Sequence, residues 1–186
     1  MTHARWKVFV NYEKEEVWLN EMAAKGFAFV DFILCRYTFM DCEPGEYTYR
    51  IELLENLSST HESKRYLSFM AENGVEHIAS WARWVYFRKR ASDGVFDIYS
   101  DIESRIVHYR RISILWLVLM FCFLIMAVTQ LMPGIDYLLS GQYVSSLAFH
   151  LTLGAFFLCF TATVLINWNQ LRRKIKQLKL EKQLRE

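Results

Sequence analysis

Two stretches of the chain run without a charged side chain for long enough to cross a bilayer, and elsewhere the apolar positions recur with the short periods of helices and strands. Residues 112–132 contain only Ser113, Thr129 and Gln130 as polar positions, and residues 145–166 contain His150 as the one ionisable group. A hydrocarbon layer about 30 Å thick is spanned by ~20 helical residues, and only a helix satisfies its own backbone there. The pattern therefore predicts transmembrane helices over 112–132 and 145–166, joined by a loop over 133–144. The first run begins more than a hundred residues into the chain, which reads as an anchor and not a signal peptide. What remains is too short to wrap both runs as the core of a soluble protein.

Before the first run the pattern repeats. Trp18-Leu19-Asn20-Glu21-Met22-Ala23-Ala24-Lys25-Gly26 lies on Tyr66-Leu67-Ser68-Phe69-Met70-Ala71-Glu72-Asn73-Gly74, an offset of 48 residues that also places Phe39 on Phe87. One insertion later, Gly45 falls on Gly94 and Tyr47 on Phe96. The aromatic, Leu, Met and Ala of each copy form one helical stripe, and the glycine suits the left-handed residue that ends a helix. Ser59-Thr60-His61-Glu62 has the spacing of a capping box for the second helix. β-rich runs follow each helix, at 27–33 and 35–41, then 75–81 and 83–90. Others precede them at 5–12 and 46–53, and 95–100 closes the set. The expected fold is α+β: a strand-helix-strand-strand unit used twice (about 5–41 and 46–100, within residues 1–104). One antiparallel or mixed sheet with both helices on one face is expected, in a ferredoxin-like or related arrangement.

Alternation predicts that Tyr37, Phe39, Val85 and Phe87 face the helices, with Tyr47, Tyr49 and Ile51 in the same core. The opposite face then collects Trp84 and Tyr86 among Arg36, Arg50, Arg88 and Glu52. Two large aromatics on an open face need a cover. Three compete: a sheet from a second copy of the chain, a small aromatic or amphipathic ligand, and the chain's own loops or the membrane surface. Trp84, Tyr86, Arg88, Arg50 and Arg36 are the candidate ligand or partner face.

Charge divides the chain at the same place as hydropathy. Overall 53% of residues are hydrophobic and the net charge is +2, but residues 1–104 carry −5 and residues 105–186 carry +7. The positive charge flanks the spans: Arg105, Arg110 and Arg111 in the segment 105–111, and Arg172, Arg173, Lys174, Lys176, Lys179, Lys182 and Arg185 in the tail 167–186. The loop 133–144 has no Lys or Arg. By the positive-inside rule both termini are cytoplasmic, with Tyr137 and Tyr143 at the outer interface and Trp168 at the inner one. Arg110, Arg111, Arg172, Arg173 and Lys174 are the expected membrane-surface cations, and the bilayer is the first partner. The acidic domain argues against nucleic acid.

Nothing here has the spacing of a nucleophile elbow, a phosphate-binding loop, a dinucleotide fingerprint or a metal site. Cys35, Cys42, Cys122 and Cys159 do not form a disulfide framework. No catalytic residue, metal or cofactor is expected. His150 is the exception to a bland anchor, because ionisable groups within a span are costly. Its depth matches Thr129 and Gln130, so a hydrogen bond between the helices is expected, with Gly154 permitting close approach; proton or ligand sensing is the alternative. Trp168, Leu171, Ile175 and Leu178 recur at helical steps and form a short seam that could pair two tails.

The assembled motifs resemble a bacterial, often membrane-anchored family filed as domain of unknown function 2812. The resemblance rests on Trp18-Leu19 with Met22-Ala23 and Gly26, on Tyr37-Thr38-Phe39, on Pro44 to Tyr47 with Tyr49 and Arg50, and on Tyr66 to Gly74. Trp84-Val85-Tyr86-Phe87, Tyr99-Ser100-Asp101 and Ser104-Arg105 complete it, so that it covers roughly residues 6–105. It implies no chemistry; the common genomic proximity of members to PadR-like regulators implies a sensing or stress-response setting. The doubled unit is also similar in outline to gyrase-inhibitor-like domains, which hold apolar cations between aromatics and a buried carboxylate. The leading expectation is a non-enzymatic, homodimeric membrane protein whose cytoplasmic domain binds a partner or small ligand in sensing or regulation. An accessory subunit of a membrane complex such as a transporter comes second, and an enzyme on a membrane-associated substrate third.

Overall fold

The computed structural model describes residues 1–99, 101–141 and 144–185, the side chains of 144–146 and 185 excepted. It divides into two units, Met1–Ser100 and Asp101–Glu186.

The first unit runs β1 (Thr2–Trp6), α1 (Tyr12–Ala24), β2 (Phe27–Ile33), β3 (Arg36–Asp41), β4 (Tyr47–Leu53), α2 (His61–Glu72), β5 (Glu76–Trp81) and β6 (Trp84–Arg90). These strands form two three-stranded antiparallel sheets, ordered β1-β3-β2 and β4-β6-β5, where one sheet was expected. In each, the last strand in sequence lies in the middle. β1 lies earlier than the run at 5–12, where Thr2 to Trp6 pair with Met40 to Arg36; the end of that run belongs to α1, whose cap Asn11 accepts the N–H groups of Glu13 at 2.9 Å and Lys14 at 3.4 Å through Oδ1. Thr60, one residue past Ser59, caps α2 through the Ser63 N–H, while Glu62 accepts from Asn56 instead of closing a capping box. Residues 95–100 form no strand among those described; the Asp97 carboxylate accepts the Tyr99 N–H, a local bond that competes with a ladder. Gly26 ends α1 at φ +85, with the Cys42 carbonyl 3.0 Å from where a Cβ would stand, so that position takes glycine for both reasons.

The sheets share a core organised by α1. Leu19, Met22 and Ala23 of α1 pack with Phe29, Tyr37 and Phe39 of the first sheet and with Tyr49, Ile51, Ala79 and Tyr86 of the second. α1 also straps the exposed edge of β4. Asn20 accepts the Tyr49 N–H at 2.8 Å and donates to the Tyr49 carbonyl at 3.0 Å, while Glu16 accepts the Ile51 N–H at 2.9 Å. Those backbone groups would otherwise stand open at a sheet edge. On the far face of the second sheet, α2 packs Met70 with Leu54, Val75, Val85, Phe87 and Phe96.

The face assignment is corrected accordingly. Val85, Tyr86 and Phe87 are all buried, because the second sheet is covered on both sides. In register, Ile51 stands opposite Tyr86 and Tyr49 opposite Arg88, whereas Glu52 stands opposite Val85 and Arg50 opposite Phe87. Tyr49 and Ile51 therefore share the Tyr86 face, and Arg50 and Glu52 share the α2 face, the reverse of the expectation. The cover over Tyr86 is the first half of the same domain.

The second unit is a pair of helices, α3 (Ile102–Ser140) and α4 (Val144–Arg185). At 1.5 Å per residue each is about 60 Å long. Both are long and apolar enough to cross a membrane, and only 11% of the most apolar window of either is buried. α3 starts at Asp101, whose carboxylate accepts the Ser104 N–H at 2.6 Å. It continues through Pro133 to Ser140 and stops at Gly141, φ +69, so most of the expected loop 133–144 is helix; Tyr143 lies outside the described residues. The helices are antiparallel: Lys182 pairs with Glu103 at 3.0 Å, Phe123 meets Phe157 and Phe160, and Gly154 lies against Leu131. Leu171, in the seam expected to pair two tails, is already buried within the single chain.

Candidate functional site: a carboxylate between the two sheets

The signal that could have found the site is an acid on an apolar stripe. Glu15 stands four residues before Leu19 and seven before Met22, so the periodicity that buries those side chains buries it as well. It is 8% exposed. Its Oε1 accepts the Tyr37 hydroxyl at 2.7 Å and the Tyr86 hydroxyl at 2.6 Å, one phenol from each sheet. Among the described residues Oε2 takes no hydrogen bond, which leaves one oxygen for another donor. Burial pushes the Glu15 carboxyl above the ordinary carboxylate range, and the two phenol bonds oppose that rise without cancelling it. Desolvation penalises the charged form, while donors to it favour it; here desolvation wins. Burial and the neighbouring carboxylate push both phenols upward, so they remain neutral donors.

Aromatic rings close the space around the carboxylate. Phe32 stands 4.8 Å from Tyr37 and 5.4 Å from Tyr86 between ring centroids, and Trp18 lies 4.9 Å from Tyr37. Tyr12, one helical turn before Glu15, meets Trp84 at 5.4 Å; both rings are half-buried and pack against the same core. A carboxylate among π-faces suits a cation with an apolar body: the acid supplies charge, and the rings supply area and quadrupolar attraction.

Of the expected face, Trp84 and Tyr86 reach this site. The three arginines go elsewhere. Arg88 donates to Glu76 at 2.7 Å and lies over the Tyr47 ring; Arg50 approaches Glu16 at 3.3 Å and lies over Phe96; Arg36 is exposed on β3 in the other sheet. In the helical unit, His150 Nδ1 and Gln130 Oε1 are 2.9 Å apart and the Tyr137 ring stacks on the imidazole at 5.8 Å. Thr129 instead donates to the Met126 carbonyl. Arg110 and Arg111 on α3, and Arg172, Arg173 and Lys174 on α4, lie beside the charge-free runs. No group of His, Cys, Asp and Glu suited to a metal occurs among the described residues.

The chain is thus an α+β domain whose two small sheets close on a buried carboxylate, followed by two helices of membrane-spanning length. The family model described as "Protein of unknown function (DUF2812)" matches residues 11–121, and the chain belongs to that family. The match begins at the cap of α1 and extends past the α+β domain into α3. No curated protein and no solved structure matches the chain.

Proposed function

We propose that the protein is a membrane-anchored, non-enzymatic binding module whose α+β domain takes a small apolar cation at Glu15 and reports it as part of sensing or regulation. The observation that carries this reading is the Glu15 carboxylate, held between two phenols in an aromatic box with one oxygen uncommitted. The surrounding fold supports it. The two halves of the domain read as a duplication: they have the same strand order, and the register shifts at Phe29/Asp31 and His77/Ala79 lie 48 residues apart. At that offset Ser63 replaces Glu15 and Val85 replaces Tyr37, so a strand-helix-strand-strand unit folds without the acid. The carboxylate belongs to one copy, as a binding group does. Tyr12 and Trp84 are the rings that would part to admit a ligand.

Thermal unfolding of the full-length protein in neutral detergent, with tetraphenylphosphonium as probe, tests the reading. A hundredfold excess over Kd is worth about 2.7 kcal/mol, a rise of roughly 10 °C for a domain of this size. Glu15→Gln is expected to abolish the rise, and Trp84→Ala to weaken it. A wild type indifferent to the cation, or a Glu15→Gln protein that responds equally, sinks the proposal.

The outward-facing apolar side chains of α3 and α4 support anchoring, and the basic flanks support a topology with both termini in the cytoplasm. An impermeant maleimide applied to intact cells should label Ser140→Cys, and should label Lys179→Cys only after lysis, in a background lacking the four native cysteines. The opposite pattern inverts the topology. A homodimer is not needed to cover Tyr86 or Leu171, since the chain covers both.

A further inference from the structure

We infer that a cleft at the charged end of the α3–α4 pair is a binding site for the phosphate headgroup of an anionic glycerophospholipid; this rests on the anchoring proposed above and is independent of the Glu15 site. The cleft has a volume of about 840 Å³ and is lined by Ser113, Ile114 and Leu117 of α3 and by Trp168 and a basic flank of α4. Four cations and no acid line it. Its level is set by the sequence: Ser113 is the second residue of the charge-free run 112–132, and Trp168 follows the end of the run 145–166. The cleft therefore straddles the plane where hydrocarbon gives way to headgroups, with Ile114 and Leu117 on the apolar side and the basic groups beyond them.

The described cations of α4 divide between two tasks. Lys182 is paired with Glu103 and Lys174 lies over the Tyr109 ring at 5.9 Å; both fasten α4 to α3. Arg172, Arg173, Lys176 and Lys179 lie instead along the flank of α4 that faces the cleft. The Arg172 guanidinium is seated over the Trp168 ring at 4.6 Å, which holds a planar phosphate donor at the interface. Apolar walls below a cationic rim complement a lipid, whose acyl chains continue into the bilayer, better than a free anion. Basic pockets between spans at this level hold anionic headgroups by the same physics.

Native mass spectrometry of the full-length protein, titrated with phosphatidylglycerol, phosphatidylcholine or inorganic phosphate, provides the test. Phosphatidylglycerol is expected to be retained as a saturable adduct, tighter than phosphatidylcholine. Arg173→Gln with Lys176→Gln should weaken it about tenfold or more, while Lys174→Gln with Lys182→Gln, the same loss of charge outside the cleft, should leave it within about twofold. Equal losses in the two double variants, no preference for phosphatidylglycerol, or displacement by equimolar inorganic phosphate would each overturn the inference. Carbonate washing of membranes separates it from the anchoring reading. A chain retained in washed membranes without lipid preference defeats the cleft alone, and a chain stripped from them defeats both.

Discussion

Phe29→Ala is expected to cost the α+β domain about 3–5 kcal/mol, the range for removing a fully buried phenylalanine ring, and to weaken both of its halves together. Phe29 is 0% exposed. Its ring lies 5.9 Å from both Tyr37 and Phe39 in its own sheet, and 6.0 Å and 5.3 Å from Tyr49 and Tyr86 in the other. Its backbone is tied across as well: the Phe29 N–H donates to the Tyr49 hydroxyl at 2.8 Å, and that hydroxyl donates back to the Phe29 carbonyl at 3.3 Å. The cavity would open where the sheets meet, so neither half could relax into it alone. Urea unfolding followed by tryptophan fluorescence and far-ultraviolet circular dichroism should give one coincident transition at a lower midpoint. If the probes separate, with the second half melting at its wild-type midpoint, the domain has two independent cores and this account of α1 fails.

The second large effect contrasts two substitutions at Glu15. Glu15→Ala removes the acceptor shared by Tyr37 and Tyr86, which are 2% and 4% exposed. Stranding two buried hydroxyls and opening a cavity is expected to cost about 2–4 kcal/mol. Glu15→Gln keeps the shape and an accepting oxygen while deleting the charge. Because the folded-state pKa is raised, the native protein holds the Glu15 proton more tightly than the unfolded chain does. The contribution of Glu15 to stability is therefore fully present below the ordinary carboxyl range and is lost as pH rises through the raised value. Glu15→Gln lacks that loss. Its melting temperature relative to wild type should climb as pH rises from the ordinary carboxyl range through the raised value, above which the variant is the more stable protein. Glu16 is also raised by burial but is present in both proteins, so the difference isolates Glu15. A Glu15→Gln protein less stable than wild type throughout would show that the fold requires the anion. A stabilising loss of charge is what a binding group retained against stability predicts.

Much of the architecture was legible one residue at a time. The run 27–33 is β2 to the residue, and the other sheet strands after α1 begin within one residue of the sequence expectation, because β-branched and aromatic alternation bounded by glycine leaves little freedom. The expected contact between His150 and Gln130 followed from depth alone, since a polar group on one long apolar helix meets its partner at the same level on the other. Pro133 misled the loop boundary. A missing N–H breaks a helix in water, but α3 carries it in an apolar helix packed on α4. The face of β6 misled more seriously. Alternation sorts residues into two sets without saying that both will be buried, and here Val85, Tyr86 and Phe87 all are.

Glu15 shows the limit best. Its place on the stripe of Leu19 and Met22 could be read from the spacing, because helical period is a local property. That Tyr37 and Tyr86, 22 and 71 residues away in sequence, would both donate to one of its oxygens could not. Such a meeting is set by how two sheets pack around α1, and that packing is decided by side-chain volume and by backbone groups such as those of β4 that needed partners. Period and hydropathy alone separate an α+β segment from two long apolar runs and order most of its helices and strands, although both helices extend well beyond the apolar runs. Which faces are covered, which donors meet the buried acid and where a cleft opens are settled by packing in three dimensions, since those depend on contacts between residues far apart in the chain.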